Sequence, residues 1–483
     1  MWDDIEESKV IVEPQDGRKR RGCIALISVI LVITLLGSSV GGVIWLVRSR
    51  LPVQTEPIIK EVIVEVTATP LPIEEISPSP TAEVVAESDV LSVNRIAFID
   101  RDGRIGTVAP NGGAGRILTA DSNREYLFPA WSPNGEYLAA IGASSSTTAI
   151  DILMDEEDAT LQQLYSDRTE VPFYLYWSPD GEAISFLANH PSEGMALHIV
   201  GTADDGDSHI VSTGGPFYWE WTADGEQLLI HTGFAGHNSS RLIFVDKDGD
   251  DDGENIDDLG FFQAPGISVN GRYLAYAAVT ENSDGSEIVI IDTTSDVEQH
   301  QRHQGLAALG WSPTGNELAF ISSANPEGSN FAGPLRLLDA ESGEERLLSR
   351  ETVLAFFWSP NGRYIAYLSF GQNDTEMNAK INSSNAKSSR QFRLPMLNLS
   401  VIEVATGEGQ QLMTDFQPTA LFLTRFLPFF DQYSLSHQIW SPDSSELVLP
   451  MNDSGREQIV IVPINGGKTR TIADGSIAFW SRQ

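Results

Sequence analysis

A short motif recurs from about residue 91 onward and constrains the fold more than any other feature of the chain. It consists of an aromatic residue, Ser-Pro, Asp or Asn, and Gly, followed by alternating apolar residues. Copies of varying completeness begin at Trp131, Trp177, Trp221, Ile267, Trp311, Trp358, Trp440 and Trp480. Successive copies start 46, 44, 46, 44, 47, 82 and 40 residues apart. Apart from the interval of 82 residues, this spacing is typical of four-stranded β-propeller blades.

Each copy predicts one four-stranded antiparallel sheet. Proline sets φ at the first corner of a turn and Asn/Asp-Gly accepts the second, so a first strand ending at the aromatic residue reverses into a second strand. Residues 364–368 are such a second strand, and residues 335–338 are a third strand. The aromatic residues of the motif occur once per unit at the same place. We therefore expect them to wedge between neighbouring sheets rather than form a ring that stacks on sugars.

The two ends of the repeated region complement each other. Residues 95–119 provide second, third and fourth strands without a preceding first strand, whereas residues 477–480 provide a first strand with nothing after it. We expect the last strand to complete the first sheet, which closes the ring and removes a free edge. The sequence thus predicts an all-β, eight-bladed β-propeller over residues 91–483. The count becomes seven if the degenerate copy at Ile267 is not a blade.

These repeats resemble the TolB-like, WD40-like propeller family, whose unit reads Trp-Ser-Pro-Asp-Gly followed by an apolar strand. The resemblance covers about 390 residues. It implies the fold and leaves the function open, since relatives include periplasmic adaptors that dock partner proteins and propellers that cap prolyl-oligopeptidase-type hydrolases. Two departures are expected: no small α/β domain precedes the propeller, and the chain ends at the closing strand, without a hydrolase domain.

An apolar segment near the N-terminus predicts a membrane anchor. Residues 24–47 carry no charged side chain, and as a helix rising about 1.5 Å per residue they would span a hydrocarbon core of about 30 Å. A basic cluster at residues 18–21 precedes the segment, so the positive-inside rule places residues 1–22 in the cytoplasm, 23–47 in the membrane and the rest outside. Gly37 and Gly41 would let a second helix approach closely, although small residues are also common in such helices.

Composition restricts the remaining possibilities. Residues 48–90 carry six prolines among acidic residues, which predicts a linker without helix or sheet. The chain has 67 acidic and 31 basic side chains, a net charge of −36. Such a surface repels phosphate backbones, which excludes nucleic acid as a partner. Cys23 is the only cysteine, so the chain has no internal disulfide framework.

The interval of 82 residues contains two insertions, which we expect to emerge on the face opposite the Trp-Ser-Pro turns. The first, about residues 371–393, is a basic island, and the second, about residues 415–438, is rich in aromatic residues. The predicted ligand-binding residues are Lys380, Lys387, Arg390, Arg393, Phe426, Phe429, Phe430 and Tyr433. The alternative is that the aromatic residues form a small satellite core beneath a polar loop.

One acidic run suggests a metal site. Asp248, Asp250 and Asp252 precede a glycine, as at the start of a Ca²⁺-binding loop in which alternate carboxylates converge on one cation. The twelfth position of that loop is Leu259 instead of Glu, so Asp257 or Asp258 would have to close the site. The alternative is a solvated acidic turn.

The sequence contains no convincing catalytic set. Ser436, His437 and Asp431 have the residue types of a hydrolytic triad, but neighbours on a strand point to opposite faces, so Ser436 and His437 are not expected to pair. The sequence therefore predicts a membrane-anchored propeller that binds a protein or glycan outside the cytoplasm. The alternative is a propeller hydrolase or lyase that uses acidic residues around the central channel.

Overall fold

The computed structural model describes residues 94–203, 207–233, 241–249, 263–279, 286–323, 331–371 and 394–483. All of them belong to one compact unit, Val85–Gln483. Within these ranges, no helix is both long and apolar enough to cross a membrane. The predicted membrane segment at 23–47 and linker at 48–90 lie outside the described residues.

Antiparallel strands make up most of these ranges. The first fourteen strands are β1 (Ile96–Ile99), β2 (Ile105–Val108), β3 (Arg116–Ile117), β4 (Glu125–Trp131), β5 (Tyr137–Ala143), β6 (Thr148–Met154), β7 (Gln162–Asp167), β8 (Pro172–Trp177), β9 (Ala183–His190), β10 (Gly194–Gly201), β11 (Ser208–Gly214), β12 (Phe217–Trp221), β13 (Gln227–Thr232) and β14 (Arg241–Asp246). The following strands are β15 (Gly266–Ile267), β16 (Tyr273–Val279), β17 (Ser286–Asp292), β18 (Val297–His303), β19 (Ala307–Trp311), β20 (Glu317–Ser322), β21 (Gly333–Asp339), β22 (Glu345–Trp358), β23 (Tyr364–Phe370), β24 (Leu397–Glu403), β25 (Gly409–Phe416), β26 (Glu446–Asp453), β27 (Arg456–Pro463), β28 (Arg470–Asp474) and β29 (Ile477–Trp480).

The strands pair almost entirely in chain order. Four sheets have four strands: β29–β1–β2–β3, β4 to β7, β8 to β11, and β15 to β18. Among the described residues, β12 to β14 and β26 to β28 form sheets of three strands. Strands β19 to β25 form one sheet of seven, because the long strand β22 ends one four-stranded unit and begins the next. The fold is therefore all-β and antiparallel, as the repeat predicts.

The repeated turn is held by its serine or threonine. In the copy at Trp131, Gly135 N–H donates to Ser132 O at 2.9 Å and Tyr137 N–H donates to Ser132 Oγ at 3.0 Å. Gly135 has a φ of 75°, a conformation that glycine adopts at little cost. The same hydroxyl bond to the start of the second strand forms at Ser178, Thr222, Ser268, Ser359 and Ser441. The degenerate copy at Ile267 thus folds like the others.

The motif tryptophans join neighbouring units, as the sequence predicts. The indole N–H groups of Trp131, Trp177, Trp358 and Trp440 donate to the carbonyls of Phe479, Ala130, Gly310 and Phe357, respectively, at 2.9 to 3.3 Å. Each acceptor is the residue immediately before the motif position of the preceding unit. These indoles are wedges between sheets, and only Trp311 and Trp358 among the motif tryptophans are partly exposed.

The C-terminal strand completes the first sheet. β29 pairs with β1 over four residues, with Ile96 opposite Trp480 and Ile99 opposite Ile477. Trp480 also bridges Gln438, just before the last complete motif copy. The predicted pairing of the two chain ends is confirmed, and the first and last units are in contact.

Candidate functional site

The aromatic insertion crosses the middle of the fold instead of standing on its surface. We call residues 417–439 the helical insertion. It consists of a π-helical turn (Phe422–Phe426), a 3₁₀ turn (Leu427–Phe429) and the helix α1 (Phe430–Ser436). α1 contacts β8, β12, β19 and β22, which contain the first strands of four different units. The helical insertion therefore lies where the first strands of several sheets meet.

Three of the four aromatic residues predicted to contact a ligand are core residues. Phe426, Phe430 and Tyr433 are 0%, 1% and 7% exposed, whereas Phe429 is 47% exposed. Phe430 meets Phe356 edge-on with ring centroids 5.3 Å apart. These buried rings belong to the main hydrophobic core, so they form neither a surface patch nor a separate satellite core. Their burial fixes the helical insertion in place, and only Phe429 keeps the exposure that a docking role requires.

The other predicted site residues lie mostly outside the described ranges. Lys380, Lys387, Arg390 and Arg393 are not described, nor are Asp250 and Asp252. Asp248 lies in the turn that follows β14. Within the described parts of the chain, no group of three His, Cys, Asp or Glu side chains is placed to hold a metal ion. The basic ligand site and the calcium site therefore stay predictions.

A cavity of about 330 Å³ lies beside α1. One wall is aromatic and includes Trp311, Phe356, Phe357, Trp358 and Phe430. The cavity is also lined by Tyr176, Glu220, Asp431, Ser434, His437 and Arg482. An apolar cavity with a few convergent polar groups is the usual form of a small-molecule site. We take this space, the central cavity, as the candidate functional site.

The strand β12 directs Glu220 into the central cavity. The indoles of Trp219 and Trp221 both donate to Ser185 Oγ at 2.9 Å, on the side of the preceding unit. Because side chains alternate along a strand, Glu220 points the opposite way. Its Oε2 accepts a hydrogen bond from Ile267 N–H at 2.8 Å, in the next unit. Burial raises the pKa of Glu220 to about 8, although the Ile267 N–H favours the charged form.

Asp431 supplies a second carboxylate from the first turn of α1. Its Oδ2 accepts a hydrogen bond from Ala264 N–H at 3.1 Å. Its Oδ1 is buried and has no hydrogen-bond partner among the described residues. Burial raises the pKa of Asp431 to about 6, against the opposing effect of the backbone N–H groups of Ala264, Gln432 and Asp431 itself. One oxygen of this carboxylate is thus held, and the other is left without a donor.

Ser436 and His437 do pair, contrary to the prediction from strand alternation. The prediction was wrong because Ser436 ends a helix and only His437 has an extended backbone. Ser436 Oγ lies 2.7 Å from His437 Nδ1, and His437 Nε2 lies 3.2 Å from Phe128 O. Burial lowers the pKa of His437 to about 3. So weak a base does not accept the serine proton at neutral pH, and a main-chain carbonyl occupies the place of a triad carboxylate.

Sequence reasoning missed Glu220, although the repeat contains a signal for it. The positions immediately before the motif residue are Ala130, Tyr176, Glu220, Gly266, Gly310, Phe357, Ile439 and Phe479. Glu220 is the only charged residue at this register. A charged side chain in a strand otherwise built of apolar residues is unusual unless it is paired or functional. Asp431 had no such signal, because an acid in the first turn of a helix is ordinary.

Comparisons with known proteins add similarity of fold alone. No family model matches the sequence, and no curated protein matches it. A structure described as the eukaryotic initiation factor is 12% identical, with 80% of this chain and 98% of that chain covered and a TM-score of 0.48. Oligogalacturonate lyase in complex with manganese is 13% identical, with 78% and 83% covered and a TM-score of 0.41. TolB from Acinetobacter baumannii is 12% identical, with 80% and 66% covered and a TM-score of 0.37. Similarity at this level does not indicate a shared function.

Proposed function

We propose that this protein is a membrane-anchored binding propeller of eight blades that takes a small ligand into its central cavity outside the cytoplasm. Support for eight blades comes from the four-stranded sheet at the degenerate copy, β15 to β18, and from the two units that share β22. The bridge between Trp440 and Leu447 supplies the first-strand position for the sheet β26 to β28. Contact between the first and last units favours a closed ring.

The observation that carries the binding role is the construction of the central cavity. Its aromatic wall and its two carboxylates come from several units and from the helical insertion, so the cavity exists only in the assembled fold. The hydroxyl and imidazole beside it, on Ser436 and His437, are hydrogen-bonded to each other and buried, with no activated nucleophile between them. Groups arranged in this way bind and orient a ligand without attacking it.

A ligand screen with a blocked variant tests the binding role. Ser434 lines the central cavity and is exposed to it, so Ser434→Phe fills the space without replacing a core residue. Ser192→Phe, at an exposed turn between β9 and β10, is the matched control. Ligand-observed NMR against a library of small molecules should give compounds that bind the wild type and the control and are lost in Ser434→Phe. If every compound that binds the wild type also binds Ser434→Phe, binding in the central cavity is ruled out.

A hydrolase or lyase remains the second candidate, and one observation favours it. Glu220 and Asp431 lie in the same cavity with raised pKa values of about 8 and about 6, on either side of neutrality. Carboxyl groups poised in this way serve as general acid and general base in many enzymes. A glycosidase, esterase and lyase screen should show turnover that Glu220→Gln and Asp431→Asn abolish and that Glu193→Gln, at an exposed turn, retains.

The insertion-bearing face is proposed as a second binding surface, for a protein or glycan. Phe429 is its exposed aromatic residue, and the connectivity of the strands predicts that the basic island of residues 371–393 emerges on the same face. Deleting residues 372–393 and replacing Phe429 by Ser should remove partners captured by the wild-type protein. Unchanged partners, with the fold intact, would argue against this surface.

A further inference from the structure

The carboxylate of Asp431 is buried with one oxygen unpaired. The side chain is 2% exposed, its Oδ2 accepts from Ala264 N–H, and its Oδ1 has no partner in the described structure. A buried carboxylate oxygen without a donor is costly, because the lost hydration is not replaced. Asp431 lines the central cavity, so a molecule bound there lies next to this carboxylate.

The charge of the central cavity selects a cation. Glu220 and Asp431 line the cavity together with one guanidinium, that of Arg482, which already donates to Leu435 O. His437 lines the same space but is a very weak base there. With its pKa raised to about 8, Glu220 is largely protonated at neutral pH, but a cation beside it favours its carboxylate form. In that state two carboxylates meet one guanidinium, and the strongly acidic protein around them attracts cations.

The walls favour an organic cation over a metal ion. No group of three potential metal ligands occurs in the part of the chain that the structure describes. Trp311 and Trp358 instead offer partly exposed aromatic surface in the lining of the same cavity. Aromatic faces attract ammonium groups, most strongly where water is excluded, and they also pack against the carbon skeleton of an amine. At about 330 Å³ the cavity is at the small end of ligand sites.

We propose that the central cavity binds a small organic ammonium ion, whose N–H groups donate to Asp431 Oδ1 while its carbon groups pack against the aromatic wall. This inference rests on the proposed small-ligand function and names the ligand class. A bound ammonium would favour the ionised form of Glu220, which then adds a second carboxylate to the cavity lining. Glu220 and Asp431 accept hydrogen bonds from the same short segment: Ile267 N–H donates to Glu220 and Ala264 N–H donates to Asp431.

Three probes with one ring and different charges test this assignment: benzylammonium, benzyl alcohol and benzoate. Binding to the full-length protein in detergent is measured by calorimetry at pH 7.5. We expect benzylammonium to bind at least tenfold more tightly than benzyl alcohol, and benzoate more weakly still. Asp431→Asn keeps the size of the side chain and should lower benzylammonium affinity at least tenfold. Glu193→Gln removes one carboxylate at an exposed turn that does not line the cavity, and it should change the benzylammonium affinity by less than twofold.

The outcomes separate the ligand class from the binding role. Suppose that benzyl alcohol and benzylammonium bind with equal affinity and that Ser434→Phe abolishes the binding of both. This result would overturn the cation assignment, while the cavity would still be a ligand site. Tighter binding of benzoate would overturn it in the same way. Binding of none of the three probes would overturn the cation assignment, and with no cavity hits in the library screen it would overturn the proposed function as well. If Asp431→Asn does not fold, Ser434→Phe takes its place, and an unchanged benzylammonium affinity in that variant would contradict the assignment.

Discussion

At the residue scale, Glu220 and Asp431 are anchored to one short piece of backbone. Their donors, Ile267 N–H and Ala264 N–H, are three residues apart. An extended chain advances about 3.3 Å per residue, so the two donors lie within about 10 Å of each other. Both carboxyl groups are buried beside this segment and lose hydration. This shared environment is the physical cause of their raised pKa values.

The raised pKa of Asp431 predicts how stability depends on pH. The folded state holds this proton up to a pKa of about 6, whereas the unfolded chain releases it near 3.8. The free energy of unfolding should therefore fall as pH rises between about 4 and 6, because the folded state binds more protons there. A difference of roughly two pKa units corresponds to about 3 kcal/mol. Urea unfolding at pH 4.5 and pH 7, in wild type and Asp431→Asn, measures this contribution.

Comparing wild type with Asp431→Asn separates the contribution of Asp431 to the pH dependence of stability from the opposite contributions of buried histidines. Buried His231 and His437 have lowered pKa values, of about 4 and about 3, so they make the free energy of unfolding rise over part of the same pH range. Both histidines are present in wild type and variant, and their contributions cancel in the difference. The stability of Asp431→Asn relative to wild type should increase with pH. A difference that is the same at both pH values would contradict the raised pKa.

Gly266 provides a second test at this scale. A Cβ atom there would lie 2.8 Å from Trp311 Cδ1 and 2.9 Å from Trp311 Nε1, closer than real contacts allow. Gly266→Ala should therefore displace the indole from the wall of the central cavity and lower the free energy of unfolding by about 1–3 kcal/mol. Gly115→Ala is the control, because its nearest neighbour is Thr107 O at 4.0 Å. Equal urea midpoints for the two variants would show that the indole has room to move.

At the scale of single elements, the helical insertion offers a matched pair of adjacent phenylalanines. Phe430 is 1% exposed and packs against Phe331, Phe356 and Phe357. Phe429 is 47% exposed. Phe430→Ala should lower the free energy of unfolding by about 3–5 kcal/mol because it leaves a cavity. Phe429→Ala should change it by no more than about 0.5 kcal/mol. Similar urea midpoints for the two variants would contradict the burial of α1.

The elements that sequence could predict are those whose signal is local. The strand that follows each motif copy, such as β23, and the turn at Ser359 can be read from alternation and from Pro and Gly positions. The helical insertion could not be placed in this way, because an aromatic-rich segment has the same composition on a surface as in a core. Its position depends on contacts with residues far away in the chain, such as Tyr433 with Phe128 and Tyr174. The pairing of Ser436 with His437 was missed for a different reason: the prediction assumed a strand, whereas Ser436 ends α1.

At the scale of the whole molecule, the pairing of β29 with β1 makes the C-terminus essential for the first sheet. All four residues of β29 are buried, and so are those of β1. Ending the chain after Ser476 removes the first strand of that sheet and the contact of Trp480 with Gln438. We expect this truncation to abolish cooperative urea unfolding or to lower its midpoint severely. Removing residues 1–84 instead should leave the midpoint nearly unchanged. A C-terminal truncation as stable as the wild type would contradict ring closure.

At the same scale, the proposed membrane orientation of the chain rests on the charges that flank the apolar segment at residues 24–47. Four basic residues at 18–21 precede it, whereas Arg48 and Arg50 are the nearest basic residues after it. The side with more Lys and Arg stays in the cytoplasm, so a reporter that works only outside it should be active when fused after Arg50. Replacing residues 18–21 by acidic residues should lower that activity and raise the signal of a reporter that works only inside. The substitution leaves the apolar segment unchanged, so the variant should stay in the membrane fraction. A changed orientation there would then be due to the flanking charges alone. Activity only from the cytoplasmic reporter in the unmodified chain would overturn the proposed topology, and with it the extracytoplasmic location of the central cavity.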